Sequence, residues 1–496
     1  MEVSFIYRIL VKQGVFTEMG NLKTILSKAR IANLKKTYYY LKKNGLNAAL
    51  FAVCERMQKT PYDNYQYTGS TEDTLKSQRA ECQNFAEPVT ISLLVPAYNT
   101  NPVYLRELLD SVYAQTYPYW ELIIADASED VDSETCVAQV IKNYIIEKNE
   151  NRIRYIKLEK NEGISDNSNQ ALRHVTGEYT GLLDHDDLLT PDALYENAVR
   201  IMGIHKNNSG NVERLSDNNK PLLLYSDEDK CDENGANYYE VYKKQDFNLD
   251  LLLSNNYFCH FTVMQTELMQ KLQFRCNFDG SQDYDLVLRG VAEILPDEQK
   301  IIHIPKVLYH WRCHSGSTAV NPQSKRYAYE AGKRALEDFL KAQNWNGSVE
   351  HTKHLGFFRI IYEPDVFVTR PDIGVIGGRL LDNKNKITGG IYDADGKCPY
   401  EGLRAGFSGY MHQASLQQNA DTVDLRCMRV RKELQELFRE ITGVTYQESK
   451  ETGIFDSTIL PDETDWISLS KAFCKAVKEQ KYRILWEPEQ VETKIK

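Results

Sequence analysis

Three closely spaced carboxylates stand out in the sequence because an apolar run leads directly into them. The segment reads Leu182-Leu183-Asp184-His185-Asp186-Asp187-Leu188-Leu189. Carboxylates this close repel one another and are costly to desolvate unless a positive charge lies among them. Oxygen ligands suit Mg²⁺ or Mn²⁺, and a metal held by only two carboxylates keeps open positions that suit the diphosphate of a nucleotide. The alternative is a solvated acidic turn in which Asp186 or Asp187 caps the next helix.

The elements that must position this segment alternate between strands and helices. Pro191 is expected in the first turn of the helix that follows the acidic segment. This alternation predicts an α/β fold with a mostly parallel sheet and right-handed crossovers. The hydrophobic pattern predicts strands at residues 89–95, 122–125, 153–158, 179–183 and 222–225.

Polar residues follow several of these strands, at the edge where ligands bind in such sheets. Pro96-Ala97-Tyr98-Asn99 follows the first strand, Asp126 the second, Asp184-His185-Asp186 the fourth and Asp227-Glu228-Asp229 the fifth. Solvated turns would not need to converge in this way, so we predict a functional site there. No G-x-G-x-x-G or G-x-x-x-x-G-K-[ST] motif follows the first strand, which excludes nucleotide binding as in dehydrogenases or P-loop enzymes.

Composition and charge narrow the class of protein. The 496 residues are 42% hydrophobic and 26% charged, which is ordinary globular composition and enough for two or three domains. The net charge of -10 does not suggest a nucleic-acid partner. The ten cysteines form no C-x-x-C pair, and neither a signal peptide nor a membrane-spanning apolar run is found, so we expect a cytoplasmic protein with reduced thiols.

The first 87 residues differ from the rest of the chain. Basic residues far outnumber acidic ones in residues 21–59, and the apolar residues there have helical spacing. We favour a helical hairpin packed on the main domain. The alternative is a basic amphipathic surface that rests on the anionic inner face of the plasma membrane. Residues 60–87 are polar and are predicted to form a linker that ends at Pro88.

Several motifs in a fixed order resemble the family 2 glycosyltransferases, which have the GT-A fold. The resemblance covers about residues 89–318 and is greatest to the branch that builds bacterial surface polysaccharides, including rhamnan and O-antigen-type chains. The motifs are Leu94-Val95-Pro96-Ala97-Tyr98-Asn99, Ile123-Ile124-Ala125-Asp126-Ala127-Ser128, Asn161-Glu162-Gly163, Asn169-Gln170-Ala171-Leu172, Leu183-Asp184-His185-Asp186-Asp187, Ser281-Gln282-Asp283-Tyr284-Asp285-Leu286 and His310-Trp311-Arg312-Cys313-His314-Ser315-Gly316-Ser317.

The resemblance implies a role for each of these residues. Asp126 would accept a hydrogen bond from uracil or thymine, Asp184 would lie nearer the ribose, and Asp186 would bind the metal. His314 is the candidate further metal ligand and His310 its competitor, while Arg312 would approach the diphosphate. The implied donor-nucleotide set is Pro96, Ala97, Tyr98, Asn99, Asp126, Asn161, Gly163, Asn169, Asp184 and His185.

Asp283 is the candidate catalytic base. Inversion by single displacement requires a carboxylate that takes the proton of the acceptor hydroxyl. Many family members have Glu-Asp where this chain has Gln282-Asp283, so Asp285 is the second candidate for the base. The alternative interpretation makes Asp283 the N-cap of a helix.

The last third of the chain resembles the same family more weakly. Residues 370–381, Gly389-Gly390 and residues 463–466 resemble parts of a second domain, but no second D-x-D follows Thr318. We therefore predict a basic helical region and linker in residues 1–87, a GT-A domain in residues 88–320 and a partial, non-catalytic α/β half-repeat in residues 321–496. The half-repeat would shape the acceptor groove or mediate dimerisation.

Taken together, the resemblance implies an inverting glycosyltransferase that depends on Mn²⁺ or Mg²⁺. Its donor would be a UDP-, dTDP- or GDP-linked sugar, and its acceptor a cell-surface polysaccharide or a lipid-linked glycan. One alternative is a non-catalytic binding or scaffold protein related to the transferases. The other is a sugar nucleotidyltransferase, although the Gly-rich basic loop of that class is absent after the first strand.

Overall fold

The computed structural model describes residues 55, 60–129, 136–206, 212–213, 220–314, 326–461, 463–489 and 492–494. The predicted N-terminal helices and the Ser315-Gly316-Ser317 end of the last motif lie outside the described residues. The predicted linker lies mainly inside them.

A nine-stranded mixed sheet forms the centre of the region from residue 91 to residue 312. Its strand order is β3-β2-β1-β4-β10-β8-β11-β5, and β9 pairs with β8. The strands, with the separate hairpin β6–β7, are β1 (Ile91–Ala97), β2 (Trp120–Asp126), β3 (Ile153–Lys157), β4 (Tyr179–Leu182), β5 (Leu188–Leu189), β6 (His205–Lys206), β7 (Val212–Glu213), β8 (Leu223–Cys231), β9 (Tyr238–Tyr242), β10 (Thr262–Gln265) and β11 (Ile301–Arg312).

Six of these strands run in the same direction. β3, β2, β1 and β4 are mutually parallel, and β8 is parallel to β11. β10 lies between the two groups and is antiparallel to both β4 and β8, which gives the groups a common direction. Their carboxyl ends therefore meet at one edge, as the sequence predicted.

Helices cover both faces of the sheet because its central strands are apolar on both faces. Leu93 of β1 belongs to one buried cluster, together with Leu108 of the second helix. The neighbouring Leu94 belongs to the opposite cluster, together with Leu286 of the eighth helix. The helices are α1 (Glu72–Cys82), α2 (Pro102–Tyr113), α3 (Val137–Lys148), α4 (Ile164–Leu172), α5 (Ala193–Ile201), α6 (Leu249–Leu252), α7 (Thr266–Leu272), α8 (Gln282–Ile294) and α9 (Arg326–Ala342).

Two predictions at this edge are corrected by the structure. The acidic segment is followed by the short strand β5, so neither Asp186 nor Asp187 caps a helix, and α5 begins at Ala193. Asp227-Glu228-Asp229 lies within β8 rather than after it, because this strand continues to Cys231.

The C-terminal part of the chain has smaller sheets of its own. β14 and β21 are parallel at the centre of the order β18-β21-β14-β20, and a second sheet has the order β16-β15-β22. The strands and helices of the C-terminal part are β12 (Gly347–His351), β13 (Phe358–Tyr362), α10 (Val366–Thr369), β14 (Ile373–Gly377), β15 (Arg379–Leu381), β16 (Ile387–Gly389), β17 (Ile391–Tyr392), β18 (Gln418–Asn419), β19 (Thr422–Val423), β20 (Arg429–Val430), α11 (Gln435–Thr442), α12 (Trp466–Glu479), β21 (Arg483–Trp486) and β22 (Glu492–Lys494).

A buried polar contact joins this part to the large sheet. Arg370 is completely buried and donates from Nη1 to Asp250 Oδ1 of α6 over 2.7 Å. Asn419 of β18 and Asn248 also exchange hydrogen bonds across the boundary. Within the described part of the chain, no helix has the length and apolar character needed to cross a membrane.

Candidate active site

The acidic segment makes a tight turn between β4 and β5. The Asp187 N–H donates to the Asp184 carbonyl oxygen over 3.3 Å, and the Asp184 N–H donates to the Tyr309 hydroxyl over 3.3 Å. Asp184 is exposed at the turn, but the protein atoms packed around its carboxylate limit its hydration. This desolvation raises the pKa of Asp184, and the nearby charges of Asp186 and Asp283 raise it further, while His260 opposes them. A cation bound at this turn would therefore stabilise the charged form of the Asp184 carboxylate.

The third carboxylate of the segment, Asp187, holds the turn in place. It is buried and accepts a hydrogen bond from the Tyr309 hydroxyl over 2.5 Å and one from the Arg312 N–H over 2.7 Å. Desolvation raises its pKa well above the usual range of a carboxyl group, and the charges of Asp186 and Asp184 add to this shift. Asp187 thus ties the acidic turn to β11.

The side chains of Asp186 and His314, the two predicted metal ligands, are in direct contact. His314 Nε2 lies 2.8 Å from Asp186 Oδ2. Neighbouring ligands of an octahedral ion with bonds of 2.0–2.1 Å are about 3.0 Å apart, so this spacing fits two adjacent metal ligands. No three His, Cys, Asp or Glu side chains of the described residues form a metal site by themselves. The pair would suit a metal that takes its other ligands from a diphosphate and water.

The other two candidates on β11 are bound to protein groups. Arg312 is fully buried, donates from Nε to the Asp186 carbonyl over 2.6 Å, and lies 2.7 Å from the Glu107 carboxylate. His310 is buried with its Nδ1 2.5 Å from Asp229 Oδ1. In this conformation Arg312 supports the backbone of the acidic turn, and His310 is hydrogen-bonded to the buried Asp229 carboxylate. Their predicted roles at the metal or the diphosphate stay predictions.

Asp126 ends β2 at the same sheet edge. Its carboxylate is buried and accepts from the Ser128 N–H over 2.9 Å and from the Tyr155 hydroxyl over 2.8 Å. Lys157 lies 3.9 Å away. Because each carboxylate oxygen has two acceptor sites, Asp126 keeps capacity for a further donor such as a nucleobase N–H.

The polar stretch after β1 borders Asp126. Asn99 has a left-handed backbone with φ of 47°, and its N–H donates to Ser128 Oγ over 2.8 Å. Tyr98 is 41% exposed and is therefore free to pack against a ligand, whereas Ala97 is buried and Pro96 is half-buried. Ser128 also donates from its N–H to Asp126, so the two predicted nucleobase segments are joined through Ser128.

The loop before α4 has a structural framework of its own. Asn161 Oδ1 accepts from the Gly163 N–H over 3.2 Å, and Gly163 has φ of +99°. Asn169 exchanges two hydrogen bonds of 2.8 Å with the backbone of Phe274, which engages both ends of its carboxamide. His185 is half-buried, and within the described chain its buried Nδ1 has no hydrogen-bond partner.

Asp283 and Asp285 have different environments although they are two residues apart in α8. Asp285 is buried and forms ion pairs with Arg275 and Arg289. Asp283 is half-buried in the first turn of α8, and the donors that contact it among the described residues are neutral groups on Oδ2. The N-cap position belongs to Ser281. Of the two, Asp283 is the carboxylate that keeps an unengaged oxygen beside the acidic turn.

A histidine that the sequence did not single out lies among these carboxylates. His260 Nδ1 is 2.8 Å from Glu228 Oε2, and its ring stacks on Tyr309 with centroids 4.8 Å apart. Burial opposes its charge, but Glu228, Asp184 and Asp187 outweigh burial and raise the pKa of His260 to about 9. His260 is thus a cation that supports the acidic turn. Its one sequence signal is the polar Cys259-His260 pair at the end of a buried aromatic run.

The central part of the chain is similar in sequence to known proteins. Residues 92–272 match the family model described as Glycosyl transferase family 2. An uncharacterized protein of Sinorhizobium fredii is 39% identical over 251 residues, which cover 50% of this chain and 25% of that protein. The O-antigen biosynthesis protein RfbC of Myxococcus xanthus is 30% identical over 260 residues, covering 52% of this chain and 18% of that protein.

A third relative matches over most of its own length. An uncharacterized glycosyltransferase of Methanocaldococcus jannaschii is 24% identical over 280 residues, which cover 55% of this chain and 85% of that protein. By contrast, this chain spans a quarter or less of the length of the first two relatives.

Proposed function

We propose that this chain, whose residues 92–272 match the model of glycosyltransferase family 2, transfers a sugar from a nucleotide-diphosphate donor to a growing cell-surface glycan. The acceptor would be a polysaccharide or a lipid-linked precursor. The observation that carries the proposal is the contact between Asp186 and His314 at the sheet edge to which Asp184 and Asp126 also belong. The O-antigen name of one relative supports the acceptor class.

The donor nucleotide would bind along the ends of β1, β2 and β4. Asp126 would accept from the N–H of a pyrimidine base, and Tyr98 would pack against the base or ribose. Asp184 would lie nearer the ribose. UDP-, dTDP- and GDP-linked sugars remain the candidate donors, because pocket residues alone do not identify a sugar.

Asp186 and His314 would hold a divalent metal, Mn²⁺ or Mg²⁺, with the diphosphate completing its ligands. When bound, such a metal supplies positive charge that stabilises the departing nucleoside diphosphate. Arg312 supports this arrangement because its Nε donates to the Asp186 carbonyl. Asp187 also supports this arrangement, because its carboxylate accepts a hydrogen bond from the Arg312 N–H.

Asp283 would act as the base in a single displacement. Its carboxylate would take the proton of an acceptor hydroxyl while that oxygen attacks the anomeric carbon. The bond from the anomeric carbon to the diphosphate would break, and the nucleoside diphosphate would leave with the bonding electrons. Attack from the side opposite the leaving group inverts the configuration at that carbon.

We further propose that residues 88–320 form the catalytic domain and that residues 321–496 are non-catalytic. The C-terminal part has separate small sheets and contacts α6 through Arg370 and Asp250. α6 lies shortly before Asn256 and His260, which border the candidate base and the acidic turn. A C-terminal domain bound there would shape the acceptor side of the site.

The test is metal-dependent binding of nucleoside diphosphates by calorimetry. The wild type is expected to bind one of UDP, dTDP and GDP in the presence of Mn²⁺ and to release that sugar from the matching donor. Asp186→Ala should lose the metal-dependent binding and keep its melting temperature. Asp395→Ala, at an exposed carboxylate far along the chain, is the matched control and should bind normally. Undiminished metal-dependent affinity in a folded Asp186→Ala protein would refute the proposal.

A further inference from the structure

Two neutral donors converge on one oxygen of Asp283. Asn256 Nδ2 lies 2.9 Å from Asp283 Oδ2, and Cys259 Sγ lies 2.6 Å from the same oxygen. Asn256 Nδ2 is also 3.0 Å from Cys259 Sγ, so the three side chains form a closed triangle. Among the described residues, no donor contacts the other oxygen, Oδ1.

The thiol is in the correct protonation state to be a donor. Burial raises the pKa of Cys259 well above its usual range, and the charge of Asp283 and the hydrogen bond to it raise the pKa further. The proton therefore stays on sulfur at neutral pH, and S–H donates to the carboxylate. The carboxylate cannot use Oδ2 as freely as Oδ1, because both donors already occupy it.

We propose that Asn256 and Cys259 are positioning residues that fix the Asp283 carboxylate and leave Oδ1 as the oxygen that receives the acceptor proton. This inference rests on the proposed function. Both donors come from the segment before β10, whereas Asp283 is on α8, so the triangle fixes the base from a second element. A side chain fixed in this way loses less rotational freedom when the acceptor binds.

The contacts of Asn256 and Cys259 with Asp283 define their proposed role. In this proposal both side chains act on the reaction through Asp283 and not through the donor nucleotide. Removing either donor should therefore lower the rate of transfer without changing donor binding. Because a hydrogen bond to a charged group contributes more free energy than a neutral one, we expect the loss of either donor to lower kcat about 10-fold.

A double-mutant cycle tests the coupling to Asp283. Asn256→Ala and Cys259→Ala should each lower kcat about 10-fold with the KM for donor unchanged, and Cys259→Ser should recover most of the rate because its hydroxyl also donates. In the Asp283→Asn background, the same Ala substitutions should change the residual rate less than 2-fold. Cys276→Ala, at an exposed cysteine, is the control and should be indistinguishable from wild type. Equal losses in both backgrounds, or a raised donor KM, would overturn the inference.

A second measurement does not require turnover. Burial is the main cause of the raised pKa of the Cys259 thiol, and the charge of Asp283 raises it further. Asp283→Asn removes that charge, so iodoacetamide should label Cys259 several-fold faster at pH 8 than in wild type. Peptide mass mapping with Cys276 as the internal reference gives this ratio. Labelling that is unchanged by Asp283→Asn would overturn the contact itself. If labelling rises but no donor sugar is ever transferred, the proposed function fails while the contact stands.

Discussion

At the scale of single residues, Asp283 and Asp285 illustrate how environment separates two similar carboxylates. Asp285 is balanced by Arg275 and Arg289, so its charge stabilises the fold. Within the part of the chain that the structure describes, Asp283 has only neutral donors, and both bind the same oxygen. Sequence alone left both as candidates for the base, because Arg289 is a local partner four residues along α8 but Arg275 meets Asp285 only in the folded chain.

Asp283→Asn and Asp285→Asn should therefore fail in different ways. Asp283→Asn should keep donor binding and melting temperature and lose about 10²–10⁴-fold in transfer rate, the usual contribution of a general base. Asp285→Asn should lower the free energy of unfolding by about 3 kcal/mol, because two arginines lose a buried partner charge. Steady-state kinetics and urea unfolding of both proteins provide the comparison. Normal transfer by Asp283→Asn would exclude it as the base.

His260 gives the fold a defined pH dependence. Its pKa is about 9 in the folded chain, compared with about 6.5 in an unfolded one. The stability that its charge contributes is therefore fully present below pH 6.5 and is lost as the pH rises through 9. Urea unfolding between pH 6 and pH 10 should show wild type losing stability over this range relative to His260→Gln. Parallel curves for the two proteins would contradict the ion pair with Glu228.

At the scale of elements, the loop before α4 is tied to the loop before α8. Gly163 precedes α4 and offers no capping side chain, so Asp279 Oδ1 accepts from the Ser165 N–H over 3.2 Å. Asp279 lies four residues before Asp283 in the chain. The cap therefore connects the predicted donor side of the site to the predicted acceptor side.

Gly163→Ala should break this connection. A Cβ at residue 163 would lie 2.5 Å from Asp279 Oδ2, and φ of +99° is unfavourable for alanine. We expect a loss of about 2–3 kcal/mol in the free energy of unfolding, at the upper end of the cost of a strained residue. Gly402→Ala is the matched control, because Gly402 also has positive φ but nothing lies within 4 Å of its Cβ position. An equal loss of unfolding free energy in the two variants would show that the Asp279 side chain moves away from the added Cβ without an energetic cost.

The same elements show what the sequence could predict. The strands β1 to β4 are local runs of apolar residues followed by polar ones, and this pattern indicated the sheet and the site edge. β8 was predicted too short, because Asp227 and Asp229 are of a type depleted in strands. Both are paired in the structure with distant residues, Asp227 with His303 and Asp229 with His310, and no local pattern contains such pairings.

Long-range pairing also explains the residues that sequence reasoning missed. His260 becomes a cation only beside Glu228, which is 32 residues away in the chain. The triangle of Asn256, Cys259 and Asp283 likewise joins two elements. A single sequence gives residue types and spacing, but such contacts depend on the sheet order, in which the antiparallel β10 lies between β4 and β8.

At the scale of the whole molecule, the buried Arg370 connects the C-terminal part to the region of the large sheet. Arg370 is fully buried, and its guanidinium donates to Asp250, to Asp372 and to the Tyr362 hydroxyl. It also lies 4.0 Å above the centroid of the Trp345 ring. A buried charge is stable only when such partners compensate its lost hydration, so the two regions hold each other in place through this residue.

Arg370→Ala should therefore uncouple the two regions. It leaves Asp250 buried without its charge partner, and breaking a buried pair from one side costs about 3–5 kcal/mol. We expect wild type to unfold in one transition and Arg370→Ala to show a first transition at lower temperature, monitored by calorimetry. Arg439→Ala removes an exposed ion pair with Glu436, is the control, and should unfold at the wild-type temperature. If the proposed acceptor groove needs the C-terminal part, Arg370→Ala should also raise the KM for acceptor at temperatures above that first transition and leave the binding of donor nucleotide unchanged. A single transition at the wild-type temperature would show that Arg370 does not hold the two regions together.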